Sequence, residues 1–177
     1  DAEAQVAEKM QALQDVLASL DPEKDLANYR PQAPEPGTAR RVKTAVPVER
    51  LRELNRSLMT FPDGFNVHTK LQKAINRRLE MLDDPNARVI EWATAEDLAL
   101  ASILEEGTAV RMTGQDVERG TFSQRHAVFH DVKNGETFTP LEKLPQAKAA
   151  YEIHNSPLSE AAALGFEYGY NVQEPCR

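Results

Sequence analysis

Two short apolar stretches decide the fold of this chain: Ala109-Val110-Arg111-Met112 and Tyr151-Glu152-Ile153-His154. The first is partly β-branched and lies between Gly107 and Gly114, a pattern that predicts a strand. The second runs into Asn155-Ser156-Pro157, and residues 158–170 then have the composition of a helix rich in small residues. A helical pattern also precedes the first stretch. The order helix, strand, long loop, strand, helix is typical of an α/β domain.

The connection between the two predicted strands, residues 115–149, is longer than most loops and has little periodicity. A connection of this length in a compact domain is usually functional or contains a further element. Residues 126–132 are the candidates for such an element, a short strand.

Two helices are predicted between residues 47 and 82. Pro47 favours a helix start because its missing N–H would have no partner there. The second helix is expected over about 67–82 and ends at Asp83-Asp84-Pro85-Asn86. The helical periodicity of the first helix comes from Val48, Leu51, Leu54 and Leu58. The side chains expected to face inward in the second helix are Val67, Leu71, Ile75, Leu79 and Leu82.

A third helix is expected to begin at Thr94. The Thr94 hydroxyl would cap the first turn, and Asp97 would reach back to the cap as in a capping box. Glu105-Glu106-Gly107 is expected to end this helix. Its predicted buried face comprises Ala95, Leu98, Ala99, Ser102 and Ile103.

The first 47 residues divide into a helix and a linker. The helix has an apolar stripe with spacings of four and three residues, which requires a partner surface. Residues 28–47 are rich in proline and have the composition of an extended linker. We therefore expect an N-terminal helix over 1–27, a linker over 28–47, a helical connector over 48–90 and the α/β domain over 91–177. The stripe consists of Val6, Met10, Leu13, Leu17 and Leu20.

Composition excludes several classes of protein. The chain has 177 residues and a formal net charge of −7, which argues against the broad basic surface used in nucleic-acid binding. No apolar run approaches the ~20 residues of a membrane-spanning helix. The single cysteine, Cys176, cannot pair within the chain and is not expected to be a nucleophile. A bacterial cytoplasm is the expected location, and a mitochondrial matrix is the alternative.

Glu160 is the first candidate for chemistry, in the motif Pro157-Leu158-Ser159-Glu160. A glutamate between a strand and a helix lies at the edge of an α/β sheet, where such folds bind ligands. The alternative is that Glu160 only stabilises the helix dipole, as acids in a first helical turn commonly do. Gly165 and Gly169 share one face of this helix and are expected to allow close packing against protein.

The polar loop after the first strand is the second candidate. Its candidate residues are Gln115, Asp116, Arg125 and His126, of which Arg125 and His126 can address an anion or a carbonyl group. The alternative is a well hydrogen-bonded loop with a surface arginine. Neither of the phosphate-binding patterns G-x-G-x-x-G and G-x-x-x-x-G-K-[ST] occurs in the chain.

Histidine spacing raises the question of a metal site. His126 and His130 are four residues apart, and His154 is a conceivable third ligand. On a strand, however, the first two side chains would lie too far apart to chelate one ion, so we predict no metal site in this chain. We expect His68, which precedes a helix, to be structural.

Several long motifs of the chain closely resemble the thiamine diphosphate-dependent decarboxylating components of 2-oxoglutarate dehydrogenases. The resemblance covers about residues 48–175. The motifs are Gly64-Phe65-Asn66-Val67-His68-Thr69-Lys70-Leu71, Glu91-Trp92-Ala93-Thr94-Ala95-Glu96, the run from Val110 to Val128, Asn155-Ser156-Pro157-Leu158-Ser159-Glu160 and Gly165-Phe166-Glu167-Tyr168-Gly169-Tyr170.

The resemblance implies a fold and a set of functional residues. The chain would form part of a transketolase-like pyrimidine domain, preceded by helices and a Pro-rich linker. Glu160 would hydrogen-bond the pyrimidine ring nitrogen of thiamine diphosphate and favour the imino tautomer of its 4′-amine, which removes the thiazolium proton. Leu158 would also contact the cofactor. The loop residues Gln115, Asp116, Arg125 and His126 would lie near the active site or a subunit interface, without individual roles.

The resemblance also implies a larger protein around this chain. Family members are several times longer, homodimeric, and transfer a succinyl group from 2-oxoglutarate to a lipoyl-bearing succinyltransferase in the tricarboxylic acid cycle. Mg²⁺ and the diphosphate would be held by a domain that this chain lacks, so the chain alone is expected to be an inactive central fragment. A related 2-oxo acid decarboxylase and a non-catalytic oligomerisation or interaction module are the competing possibilities.

Overall fold

The structure, a computed structural model, describes residues 2–21, 35–83 and 90–173. The chain divides into two compact units, residues 1–44 and 45–177. In the first unit, helix α1 spans Ala2–Ser19, and none of its residues is buried. The helix expected over residues 1–27 thus ends at Ser19, and residues 22–27 lie outside the described residues. A four-residue helix α2, Thr38–Arg41, lies in the segment predicted to be an extended linker. Residues 28–34 of that linker lie outside the described residues.

The second unit contains the elements of the predicted α/β order. Within the described residues, no helix is long and apolar enough to cross a membrane. The domain boundaries at residues 27, 47 and 90 remain predictions. The elements are α3 (Val48–Leu58), α4 (Thr69–Glu80), α5 (Trp92–Glu106), β1 (Val110–Gly114), β2 (Phe129–His130), β3 (Thr137–Phe138), β4 (Tyr151–Asn155) and α6 (Glu160–Gln173).

Strands β1 and β4 pair in parallel, from Val110 opposite Tyr151 to Gly114 opposite Asn155. Their carboxyl ends therefore lie side by side, at the edge where α/β sheets bind ligands. This pairing confirms the predicted α/β fold. The long connection contains an antiparallel pair, β2 and β3, so the short strand expected within residues 126–132 is present as Phe129–His130.

The core of this unit joins the helices to the sheet. Residues from α3, α5 and β4 form its centre, and four phenylalanines attach the β2–β3 hairpin to the segment after α3. The Phe61 ring meets the Phe129 ring edge-on with centroids 4.9 Å apart. Buried core side chains include Leu54, Leu58, Leu98, Ala101, Leu104, Phe129, Tyr151 and Ile153.

The prediction for the start and the buried face of α5 was wrong. The helix begins at Trp92 with Glu91 at its N-cap, so neither Thr94 nor Asp97 forms a capping box. Of the predicted buried face, only Leu98 is buried; Ala95, Ala99 and Ile103 are exposed and Ser102 is half-buried. Small and apolar residues occupy nearly every side of this helix, so its pattern does not define one face. The buried residues are Thr94, Asp97, Leu98, Ala101 and Leu104.

An ion pair accounts for the orientation of α5. The Asp97 carboxylate accepts a hydrogen bond from Arg78 Nη1 at 2.5 Å, and both side chains are nearly buried. Arg78 also donates to Asn55 Oδ1, which links α3, α4 and α5. Burial raises the pKa of Asp97, although Arg78 opposes the shift.

Helix α4 departs from the prediction at its end. The helix stops at Glu80, two residues before the buried Leu82, and Leu79 is exposed although it was predicted to face inward. At its start, His68 is the N-cap residue, and its Nδ1 accepts a hydrogen bond from Lys70 N at 3.2 Å. This is a structural role, as expected for His68.

Candidate functional site

The carboxyl ends of β1 and β4 are joined by hydrogen bonds beyond the strand pairing. Ser156 N donates to the Gly114 carbonyl at 2.8 Å. Glu118 N donates to Asn155 Oδ1 at 3.1 Å. The loop after β1 and the turn after β4 are therefore held together at one edge of the sheet. We define this edge as the 114/155 edge.

Glu160 is the first residue of α6 and lies five positions after the end of β4. Its side chain is exposed, and the structure gives it no hydrogen bond or ion pair to any residue in the part of the chain that it describes. Leu158, two residues earlier, is 79% exposed. The position of Glu160 at the first turn of a 14-residue helix stabilises its negative charge.

The largest hollow beside α6 does not lie at Glu160. A cavity of about 1110 Å³ is formed by the amino ends of β1 and β4 and by the second half of α6, with Thr108, Ala149 and Gln173 in its lining. It is thus at the opposite end of the helix from Glu160. At the 114/155 edge, Asn155 and Glu160 are exposed.

Arg119 is the centre of the loop after β1. Its guanidinium donates to both carboxylate oxygens of Asp116 and, through Nη1, to Ser123 Oγ at 3.0 Å. The Arg119 carbonyl accepts hydrogen bonds from the backbone N–H groups of Arg125 and His126 at 2.9 and 3.0 Å. The hydrogen bonds from Arg119 lower the pKa of Asp116, which is therefore ionised at neutral pH.

Backbone strain is concentrated in the same loop. Asp116, Ser123 and His126 have φ values of 50°, 53° and 47°, and they are the non-glycine residues with positive φ among those that the structure describes. Such conformations cost free energy and persist only where surrounding contacts fix them. The loop is therefore held in one conformation by its own hydrogen bonds.

Arg125 attaches this loop to helix α5. Its Nε and Nη2 donate to the two carboxylate oxygens of Glu96 at 2.5 and 3.1 Å, and its Nη1 donates to the Val117 carbonyl at 2.8 Å. The Glu96 hydrogen bonds raise the pKa of Arg125. The three hydrogen bonds of this guanidinium all go to partners within the chain, and a ligand-binding role for Arg125 and Asp116 stays a prediction.

Gln115 and His126 are the two loop candidates whose side chains are given no hydrogen bond among the described residues. Gln115 is exposed, whereas His126 is half-buried. The His126 ring lines a small cavity of about 80 Å³, together with Met59 and Phe129. Among the described residues, no group of three or more His, Cys, Asp or Glu side chains is arranged to hold a metal ion. Cys176 lies outside the described residues.

Helix α6 packs one face on the sheet and leaves another uncovered. The Arg111 guanidinium carbon lies 3.3 Å from the centroid of the Tyr170 ring, and Tyr170 Oη donates to Glu152 at 2.9 Å. A side chain at Gly165 or Gly169 would meet no atom within 4 Å, so the expected packing at these glycines is not present among the described residues.

Sequence analysis missed three residues that organise the 114/155 edge: Glu96, Arg119 and Asn155. Arg119 had a local signal, because an acid and an arginine three residues apart often interact. Glu96 and Asn155 accept hydrogen bonds from residues 29 and 37 positions away in the sequence, and no local pattern predicts such pairs.

Comparison with known proteins supplies further evidence. The family described as "Transketolase, pyrimidine binding domain" matches residues 88–177. Over 125 residues, the chain is 56% identical to the 2-oxoglutarate dehydrogenase E1 components of Staphylococcus aureus strains N315 and JH9. The match takes in 71% of this chain but only 14% and 13% of those relatives, so the chain spans about one seventh of their length.

Proposed function

Because this chain belongs to the transketolase pyrimidine-binding domain family and is homologous to 2-oxoglutarate dehydrogenase E1 components, we propose that it supplies the pyrimidine side of a thiamine diphosphate site. The site would belong to a longer enzyme that decarboxylates 2-oxoglutarate and passes the succinyl group to a lipoyl group. The observation that carries this proposal is the position of Glu160. Its carboxylate is exposed, without an assigned partner among the described residues, at the carboxyl edge of a parallel strand pair.

The residues at this edge fit the pyrimidine ring of the cofactor. A carboxylate that is open to a second molecule can share a proton with a ring nitrogen, and the exposed Leu158 side chain offers an apolar contact for a flat ring. The cofactor, when bound, supplies the carbon acid and the electron sink that decarboxylation of a 2-oxo acid requires. In this proposal Glu160 holds the proton at the pyrimidine nitrogen, and Leu158 helps to orient the ring.

If Glu160 only stabilised the helix dipole, its surroundings would need to meet different requirements. A residue that serves only the helix dipole needs no open space in front of it and no contact with a second molecule. A residue that shares a proton with a ring must be held at hydrogen-bond distance and direction. The fixed turn at the 114/155 edge supports the second role.

Glu160→Gln, made in the full-length protein that carries this segment, tests the proposal. We expect decarboxylation of 2-oxoglutarate to fall by at least about a hundredfold, because an amide cannot share the proton, while the melting temperature stays unchanged. Glu167→Gln is the matched control on the same helix, and we expect it to retain activity. Full activity of Glu160→Gln, or a collapse of its melting temperature, would show that Glu160 is a structural acid.

We also propose the partners that such an enzyme needs. The diphosphate and its Mg²⁺ would bind residues outside this segment, since the family that matches residues 88–177 is described as a pyrimidine-binding domain. A second copy of the protein would complete the cofactor site, and a lipoyl-bearing succinyltransferase would receive the product. The bacterial relatives support a cytoplasmic location.

An interaction module is the second candidate function, and one observation favours it. The outward face of α6 carries Leu164, Tyr168 and Val172 at successive turns, all exposed and without a charge among them. Sedimentation of the full-length protein with and without thiamine diphosphate distinguishes the two functions. Equal association in both conditions, together with full activity of Glu160→Gln, would leave only the interaction module.

A further inference from the structure

We propose that Arg125 is a positioning residue that fixes the turn carrying Glu160, acting through Glu96 and the loop after β1. This inference rests on the proposed function, because it concerns the residue that we assign to the cofactor. It assigns to the Arg125–Glu96 pair a role that the sequence analysis did not consider. The chain of contacts runs from α5 through the loop to β4.

The Arg125 side chain links two positions of the loop to each other and also links the loop to α5. Two of its hydrogen bonds reach Glu96 in the second turn of α5, and the third reaches the Val117 carbonyl at the other end of the loop. The Arg125 side chain is 16% exposed, whereas the Glu96 side chain is 40% exposed. Only a guanidinium can make a paired interaction with a carboxylate and a third bond in one plane.

The next contact in this series connects the loop to β4. Glu118 follows Val117 directly, and its N–H donates to Asn155 Oδ1. Ser156, the next residue after Asn155, donates its N–H to the Gly114 carbonyl. The turn that leads from β4 to Glu160 is therefore fixed by the loop at one side and by β1 at the other.

The strain at His126 shows why the loop needs this attachment. His126 adopts φ 47° directly after Arg125, and a non-glycine residue leaves that conformation unless contacts hold it. Loss of the Arg125 side-chain bonds removes the attachment of the loop to α5 and to the Val117 carbonyl, and leaves the backbone hydrogen bonds to the Arg119 carbonyl as the remaining restraint on His126. The Glu118–Asn155 contact would then loosen, and with it the direction of the Glu160 carboxylate.

Helix α5 offers a matched control at its other end. Arg50 makes a paired interaction with Glu105 that resembles the Arg125–Glu96 pair and is likewise partly buried, but it connects α3 to α5. Arg50→Gln and Arg125→Gln therefore each remove the arginine partner of a glutamate on α5. Only the second variant removes a restraint on the 114/155 edge.

Two measurements on the full-length protein test the role. The first is hydrogen–deuterium exchange at the amides of Glu118 and Ser156, which we expect to become about tenfold faster in Arg125→Gln and to stay unchanged in Arg50→Gln. The second is exchange of the thiazolium C2 proton of bound thiamine diphosphate, followed by NMR. We expect this exchange to slow about ten- to a hundredfold in Arg125→Gln, because misplacement of a proton-transfer group is costly.

Glu96→Gln and the double variant Glu96→Gln/Arg125→Gln complete the design. The effects of substitutions at residues that act as one unit are not additive. We therefore expect the amide exchange and the C2 proton exchange of the double variant to change no more than those of Arg125→Gln alone. Equal effects of Arg50→Gln and Arg125→Gln, or additive effects of the two substitutions, would overturn the positioning role. If Glu160→Gln itself leaves C2 exchange unchanged, the proposed function fails instead, and the two failures are thereby distinguished.

Discussion

Asp131 accepts two hydrogen bonds from Asn66, one from its backbone N–H at 2.6 Å and one from its side-chain amide at 3.0 Å. Its other oxygen accepts hydrogen bonds from the backbone N–H groups of Lys133 and Asn134. Burial disfavours the charge of Asp131, but these donors outweigh it and lower the pKa to about 2. The carboxylate thus ties the β2–β3 hairpin to the segment before α4.

The first prediction concerns Asp131→Asn. Because the folded-state pKa lies below the ordinary value of about 3.9, ionised Asp131 stabilises the fold above about pH 4. This stabilisation is lost as the pH falls from about 4 to about 2. We expect Asp131→Asn to lower the urea midpoint clearly at about pH 7 and much less at about pH 2.

Asp63→Asn is the control for this prediction, since Asp63 is exposed in a neighbouring turn and the structure gives it no partner among the described residues. We expect its urea midpoint to match that of the unsubstituted protein at both pH values. A deficit of Asp131→Asn that is the same at neutral and at acidic pH would contradict the role of the charge.

The second prediction concerns the nearly buried Arg78–Asp97 pair. Asp97→Ala leaves the Arg78 charge without its carboxylate and should lower the free energy of unfolding by about 3 kcal/mol. Replacement of both residues, as Arg78→Met/Asp97→Leu, should recover most of that loss, because the desolvation cost of the charges disappears. Urea denaturation measures both changes. A double variant less stable than Asp97→Ala would show that the hydrogen bond from Arg78 Nε to Asn55 Oδ1 contributes more than the pair.

The third prediction concerns Gly120, which has φ 83° in the loop held by Arg119. A Cβ atom here would lie 2.6 Å from the Gln124 side chain, whose Oε1 accepts a hydrogen bond from Phe122 N. Gly120→Ala therefore incurs the positive-φ cost and also displaces Gln124. We expect a loss of about 2 kcal/mol in the free energy of unfolding.

Gly135→Ala separates the two costs of the Gly120 substitution. Gly135 has φ 76°, but a Cβ atom added there would have no described atom within 4 Å, so its substitution should cost only about 1 kcal/mol. Thermal or urea denaturation of both variants measures the difference. Equal losses at the two glycines would show that Gln124 moves aside at no cost.

Sequence patterns predicted the order of the helices and strands because glycine and proline residues mark where several of these elements begin or end. Gly107 ends α5 in the left-handed conformation, and Pro47 lies directly before α3. The alternation of helices with the stretches around Val110 and Tyr151 was sufficient for the α/β fold. The β2 and β3 strands are two residues long, which is too short for a periodicity to show.

The candidate site was predictable only in part. Glu160 stands out locally, since an acid at a strand-to-helix junction has a recognisable place in α/β folds. The partner of Arg125 does not stand out, because Glu96 is one of several acids on α5 and the pair depends on how the loop folds back. For the same reason, the local pattern predicts a capping role for Asp97, whereas its carboxylate contacts Arg78 from another helix.

The parallel pairing of β1 and β4 has a consequence for the order of folding. Paired residues are 41 positions apart, so the strands cannot form a hairpin and must first close a long loop at an entropic cost. Contacts between neighbouring helices have shorter loops to close and form earlier. A nascent chain released only as far as residue 150 on the ribosome thus has the helices that precede β1, but neither α6 nor the edge that presents Glu160.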